Sequence, residues 1–153
     1  MTDSEPLDWR HATPNDADPL AEMNAQLIRD EGSRNPMTVP KLAERMRGWL
    51  RSGEYRAVLF SRGSQAVAYA LYREEPQGVH LRQLFVEQTQ RHRGIGRAAL
   101  EILRSSVWPP GTRVRVEVLA TNPEGAAFWR SLGFSEYATT LELVPTGAPS
   151  AGP

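Results

Sequence analysis

Residues 81–103, LRQLFVEQTQRHRGIGRAALEIL, set an apolar strand, a turn with two glycines and a helix in direct succession. A second strand pattern comes after them, in which Val114, Val116 and Val118 alternate with Arg113, Arg115 and Glu117. A strand–helix–strand step from Val79 to Leu119 implies a parallel pair joined by a right-handed crossover. That step constrains the fold more than any other feature of the chain, because it demands a sheet with a helix packed on its face.

The remaining pattern fills in around it. Trp9–Thr13 reads as a short strand closed by Pro14. Asn15 or Asp16 can cap a helix carrying Leu20, Met23, Leu27 and Ile28 at helical spacing, with Gly32 as its stop. Thr38 can cap a second helix with Pro40 in its first turn and Leu42, Met46, Trp49 and Leu50 as one stripe, closed by Gly53. Three strand-like runs, Tyr55–Ser61, Ala66–Arg73 and Val79–Val86, are separated by turn signals and predict an antiparallel meander. Gly94–Val107 is the crossover helix, Pro123–Leu132 the last helix and Tyr137–Val144 a last strand. The expected class is mixed α/β, ordered β-α-α-β-β-β-α-β-α-β(β), with a mixed sheet of six to seven strands and helices on both faces. Residues 1–144 make one domain, and PTGAPSAGP at 145–153 reads as a disordered tail, with the first few residues also loose.

Composition narrows the chemistry. The 153 residues hold no cysteine, so disulfides, thiolate–zinc sites and a cysteine nucleophile are excluded. His11, His80 and His92 stand far apart without metal-ligand spacing, and no metal site is expected. Eighteen basic and eighteen acidic side chains balance, whereas a dedicated nucleic-acid binder usually carries a basic excess. No apolar run approaches the ~20 residues that span a bilayer. The acidic start, MTDSEPLDWR, lacks the apolar stretch of a secretory leader. No nucleic acid, no membrane and a cytoplasmic location are the expectations.

The turn at Arg91–Arg97 is where ligand chemistry concentrates. Gly94 and Gly96 allow backbone amides a close approach to a ligand, and they lie where unpaired N–H groups and the helix dipole favour phosphate. Arg91, Arg93 and Arg97 add positive charge. A pyrophosphate would suit this site, and so would a plain solvated helix start. Gly96-Arg97-Ala98 lacks the Gly-Lys-Ser/Thr of a P-loop, and Ala99 stands where the dinucleotide fingerprint has its third glycine.

Two motifs together resemble a known family. Val86, Arg91, Gly94 and Gly96 form V-x-x-x-x-R-x-x-G-x-G after a strand and at a helix start, and Asn122, Trp129, Gly133 and Phe134 lie beyond them at a matching distance. This pair is similar to the coenzyme A motifs of the GNAT N-acetyltransferases, and the likeness covers roughly residues 7–144. It implies acetyl-CoA as co-substrate and a small-molecule or peptide amine as acceptor, and leaves a homodimer open. By the same resemblance Phe85 and Val86 would meet the pantetheine arm where two strands splay. Arg91, His92, Arg93, Gly94, Ile95, Gly96 and Arg97 would hold the pyrophosphate. Asn122, Ala126 and Trp129 would line the coenzyme's path, with Asn122 equally suited to capping the last helix.

Catalysis is less legible. Trp129 occupies a position where many relatives have a tyrosine that protonates the departing thiolate, and an indole N–H cannot do so at neutral pH. Tyr69, Tyr72 and Tyr137 are alternative donors better suited to core packing. A general base is needed for a protonated amine. Glu117, Gln83 and Glu31 are the candidates, Gln83 only as a residue that orients water. Glu117 would be partly buried, either functional or paired with an arginine such as Arg82. His80 reads as a surface histidine. The implied activity is acetyl transfer from acetyl-CoA to a primary amine by direct attack. The alternative is a GNAT-fold module that binds acyl-CoA without turnover.

Overall fold

The structure, a computed structural model, describes residues 6–147 of the 153-residue chain. Residues 1–5 and 148–153, the start of the expected domain and most of the expected tail, lie outside the described residues.

Strand β1 (Asp8–His11) leads through a single 3-10 turn into α1 (Ala17–Glu31). Gly32 ends α1 in the left-handed conformation (φ 68°), which a side-chain-bearing residue would adopt only with strain. In α2 (Val39–Ser52) the Thr38 hydroxyl accepts from the Lys41 amide and Pro40 occupies the first turn, so an orphan donor is met and a missing one costs nothing. Strands β2 (Arg56–Arg62), β3 (Gln65–Glu75) and β4 (Gly78–Val86) form the meander. Helix α3 (Ile95–Ile102) continues as a π-helical turn over Leu103–Val107, and β5 (Val114–Arg115) and α4 (Pro123–Ser131) complete the order.

The sheet order is β1-β2-β3-β4-β5, antiparallel except for the parallel β4–β5 pair. One face carries Ala57, Leu59, Tyr69, Leu71 and Phe85 and is covered by Leu20, Met23, Leu27 and Met46 of α1 and α2. The other carries Val58, Phe60, Tyr72, Val79 and Leu81 and is covered by Ile95, Ala99, Leu100 and Leu103, with Trp129, Leu132 and Phe134 at its margin. The period-2 alternation of the strands thus feeds two apolar layers, each closed by amphipathic helices.

Two irregularities mark β4. Leu71 pairs with Gln83 while Tyr72 pairs with Leu81, leaving Arg82 as the extra residue of a β-bulge. Bulges re-aim side chains, and this one sends both Arg82 and Gln83 to the face covered by α1 and α2. The second irregularity is the edge toward β5. Only Val79–Val114 and His80–Arg115 pair, so from Leu81 to Val86 β4 keeps its β3 partner but has none on the β5 side. The two strands therefore diverge, leaving a cleft.

The strand count departs from expectation. The described residues form five strands, not six to seven, and Tyr137–Val144 is not one of them. The expected strand Val114–Leu119 contributes only two paired residues. Because β5 leaves the ladder after Arg115, no extended edge remains for a later strand to join. Tyr137 and Leu143 are accordingly 87% and 93% exposed. Glu142 is tied down by Arg34 at 2.5 Å.

Candidate active site

The cleft between β4 and β5 is bordered by the α3 N-terminus and by the last turn of α1. Helix α3 starts at Gly94, whose φ of 78° is left-handed and whose surroundings are open. The first bond the helix closes runs from the Ala98 amide to the Gly94 carbonyl at 3.0 Å. The amides of Ile95, Gly96 and Arg97 precede it and have no intrahelical acceptor, the arrangement that receives phosphate oxygens. His92, at φ 64°, makes the approach to this turn left-handed as well. His92, Arg93 and Arg97 are exposed around it.

Each glycine answers a different demand. A Cβ at Gly96 would stand 2.8 Å from the Phe128 Cζ, so this glycine lets α3 and α4 touch. Gly94 meets nothing and is required by its backbone angle alone. Ile95 is 1% exposed in the core, so only its backbone faces the turn. Arg91 is committed inward: its Nε donates to the Val86 carbonyl at 2.8 Å and its terminal nitrogen pairs with Asp30 at 2.5 Å. It ties the end of β4 to the end of α1, a partnership that sequence spacing alone does not reveal. Arg97 reaches the Ser131 carbonyl at the end of α4.

Asn122 caps α4, its Oδ1 accepting from the Gly125 amide at 3.0 Å. Ala126 and Trp129 are half-buried on that helix. Trp129 is edge-on to both Phe128 and Phe134, each with centroids 5.0 Å apart, and packs against the α3 core.

On the face beneath α1, Tyr69 is fully buried and donates to the Gln83 Oε1 at 2.7 Å. Burial pushes its phenol far above the ordinary tyrosine range, with the nearby Glu31 charge adding to the shift. The Glu31 carboxyl is itself raised, first by burial and then by Asp30. The Glu31 backbone carbonyl receives the Thr121 hydroxyl at 2.7 Å, which brings the end of α1 to the chain leaving β5. Glu31, Tyr69 and Gln83 thus form one polar group below the cleft.

Glu117 and His80 exchange their expected exposures. Glu117 is 72% exposed because β5 has already left the sheet there, while His80 is buried between strands. His80 Nε2 lies 2.6 Å from Glu117 Oε1 without aligned hydrogen-bond geometry, and Nδ1 has no partner. Arg82 does not pair with Glu117; it donates to the Tyr55 hydroxyl. Tyr137 is exposed, outside any core, whereas Tyr72 packs edge-on to Trp108.

The family model for the acetyltransferase (GNAT) family matches residues 21–134, which include the cleft, the α3 turn and α4. The chain belongs to this family. An acetyltransferase from Thermus thermophilus is 25% identical, with a TM-score of 0.71 over 84% of this chain and 86% of that one. A predicted acetyltransferase from Clostridium acetobutylicum, solved with acetyl-CoA, is 16% identical, with a TM-score of 0.67 over 91% and 96%. A ribosomal-protein-alanine N-acetyltransferase from Brucella melitensis is 12% identical, with a TM-score of 0.66 over 91% and 99%. These last two share the fold. No curated protein matches the chain.

As a GNAT family member the chain carries acetyltransferase architecture from α1 through Phe134. Among the described residues no group of three His, Asp or Glu side chains is placed to hold a metal ion, and no helix is long and apolar enough to cross a membrane.

Proposed function

We propose that this GNAT protein transfers an acetyl group from acetyl-CoA to a primary amine by direct attack. The observation that carries the reading is the unpaired β4 edge from Leu81 to Val86, which ends just before the turn that opens at Arg91. A pantetheine arm needs a strand edge with free amides and carbonyls, and a pyrophosphate needs free amides and positive charge. Both lie on one path here. Glu87 donates to the Val67 carbonyl on β3, so by strand alternation the Val86 N–H faces the open edge. It suits polarisation of the thioester carbonyl, and a fixed backbone donor of that kind stabilises the developing oxyanion. The solved relative carrying acetyl-CoA supports the same co-substrate.

The amine must lose a proton before it attacks. Glu31 is the base best supported: half-buried, raised in pKa, and grouped with Tyr69 and Gln83 beside the cleft. Attack forms the N–C bond, the C–S bond breaks, coenzyme A leaves as the thiolate, and the second proton on the attacking nitrogen passes to the thiolate or to solvent. A thiolate with pKa near 8.5 departs without an obligatory acid, so Trp129 does not preclude turnover. Gln83, held by Tyr69, would orient the amine or a water.

Glu31→Gln is expected to lower kcat by roughly 10²–10⁴-fold, the usual worth of a general base. Its stability effect has the opposite sign. The fold raises the Glu31 pKa, so the native state favours the protonated carboxyl. That preference stabilises below the ordinary carboxylate range and is lost as pH rises through the raised value. At neutral pH the charged Glu31 is a liability, and Glu31→Gln should raise Tm there, with the gain shrinking in acid. Glu117→Gln, at an exposed carboxylate, should alter neither strongly. Turnover lost in Glu117→Gln but kept in Glu31→Gln would move the base to the His80–Glu117 pair.

A further inference from the structure

Building on the acetyltransferase reading, we propose that the acceptor amine carries an anionic group, a carboxylate or a phosphate, bound by Arg45 and Arg82. The two guanidinium carbons stand 4.5 Å and 4.9 Å from the centroid of the same ring, Trp49. Arg45 projects from α2. Arg82 is the bulge residue of β4, next to Gln83 and inside the stretch of strand that has no β5 partner. Tyr55, buried, adds its hydroxyl, 3.4 Å from an Arg82 nitrogen.

Neither arginine has a carboxylate partner among the described residues. The titratable groups acting on Arg45 are Arg82, Tyr69 and Tyr55, none of them a carboxylate. Arg45 makes only a long bond to the Asn24 side-chain Oδ1, 3.4 Å, and its buried Nε has no acceptor. Burial and the neighbouring Arg82 both disfavour its charge. Stacking on Trp49 attracts each cation but neutralises neither. A half-buried charge without an ion-pair partner is costly, so Arg45, sharing the Trp49 ring with the exposed Arg82, calls for an anion.

Placement makes the anion part of the acceptor. Coenzyme A reaches β4 from its Val86 end, where the α3 turn lies, whereas Arg82 sits further back along the same edge on the face beneath α1 and α2. An amine delivered to Gln83 and Glu31 would have its anionic end over Arg82. Arginine offers a paired N–H fork that matches either a carboxylate or a phosphate. Polyamines and other polycationic amines would be repelled.

The test is a panel of matched amines with acetyl-CoA: β-alanine against β-alaninamide, aspartate against its diamide, and O-phosphoethanolamine against ethanolamine. The wild-type kcat/KM should favour the anionic member by at least tenfold in one or more pairs. Arg82→Gln should collapse that preference through KM, by about tenfold to a hundredfold, as expected for a charge-assisted hydrogen bond. Arg82 is exposed, so this variant should fold; Arg45→Gln provides the second, half-buried arm. Whether carboxylate or phosphate wins identifies the anion. Equal or better rates with the neutral or cationic members, or an unaltered preference in Arg82→Gln, would overturn the inference while leaving the acetyltransferase intact. If no amine is acetylated at all, the acetyltransferase reading fails instead. Calorimetric binding of the same anionic amines to wild type but not to Arg82→Gln then sustains the anion site, and its absence removes it.

Discussion

Replacing Gly96 with glutamate should abolish the thermal stabilisation that coenzyme A gives the wild-type protein. Two effects act together. Any Cβ at 96 would stand 2.8 Å from the Phe128 ring, so the ring or the helix that carries it must shift to admit it. The added carboxylate would also sit among the α3 amides proposed to receive the pyrophosphate, replacing attraction with repulsion. Overpacking of this kind typically costs ~1–3 kcal/mol before any ligand is present. Gly94→Ala separates the two effects. Its Cβ meets nothing, and the cost is that of forcing a φ of 78° on alanine, about 1–2 kcal/mol. Coenzyme A stabilises by mass action on the native state, so Gly94→Ala should start from a lower Tm and still shift with added ligand. Thermal melts over a coenzyme A titration into the millimolar range read both. A shift retained by Gly96→Glu would move the pyrophosphate away from this turn.

The second large effect lies at Trp129. Its ring is gripped edge-on by Phe128 and Phe134 and borders the α3 core. Trp129→Ala should lose about 3 kcal/mol, the low end for emptying an aromatic core site because the ring is half-buried. It should lose coenzyme A binding as well, since α4 and the Gly96–Phe128 contact depend on the same cluster. Trp129→Phe keeps an aromatic edge there and should preserve binding and most of the activity. Trp129→Tyr adds a proton donor and should raise turnover most at about pH 6–7, below the thiol pKa of about 8.5, where protonating the leaving sulfur helps most. Steady-state rates with a reactive amine from roughly pH 6 to 9 compare them. A tyrosine variant no faster at any pH would mean that the thiolate leaves unaided.

How much the sequence disclosed depends on how local each signal is. Gly32, Thr38, Pro40 and Gly53 bounded α1 and α2 because caps and left-handed stops depend on a few adjacent residues. The glycine turn before α3 was legible for the same reason, and Asn122 as a cap likewise. The partners of Arg91, the bulge at Arg82 and the Gly96–Phe128 contact were not legible. Each joins residues far apart in the chain, and no spacing rule encodes which arginine meets which acid. Alternation of Val114, Val116 and Val118 suggests a full strand, yet alternation reports that one face is apolar, not that a neighbour is there to bond with. β5 keeps the alternation while leaving the ladder after Arg115. Glu117 was assigned to a covered face on that basis and instead stands in solvent, while His80, one strand inward, took the burial. Arg45 gave no signal, being one arginine among seventeen in a chain where the type is common.

Acetyl transfer itself has a clean readout in a chain of this composition. With no cysteine present, a thiol reagent detects only the coenzyme A released from acetyl-CoA. Purified protein, acetyl-CoA and a panel of primary amines should release thiol only when an accepted amine is present, with an equal amount of N-acetylated amine seen by mass spectrometry. Glu31→Gln should reduce both together. Coenzyme A binding without thiol release or acetylated product across a broad panel would contradict acetyl transfer and leave a coenzyme-binding module in its place.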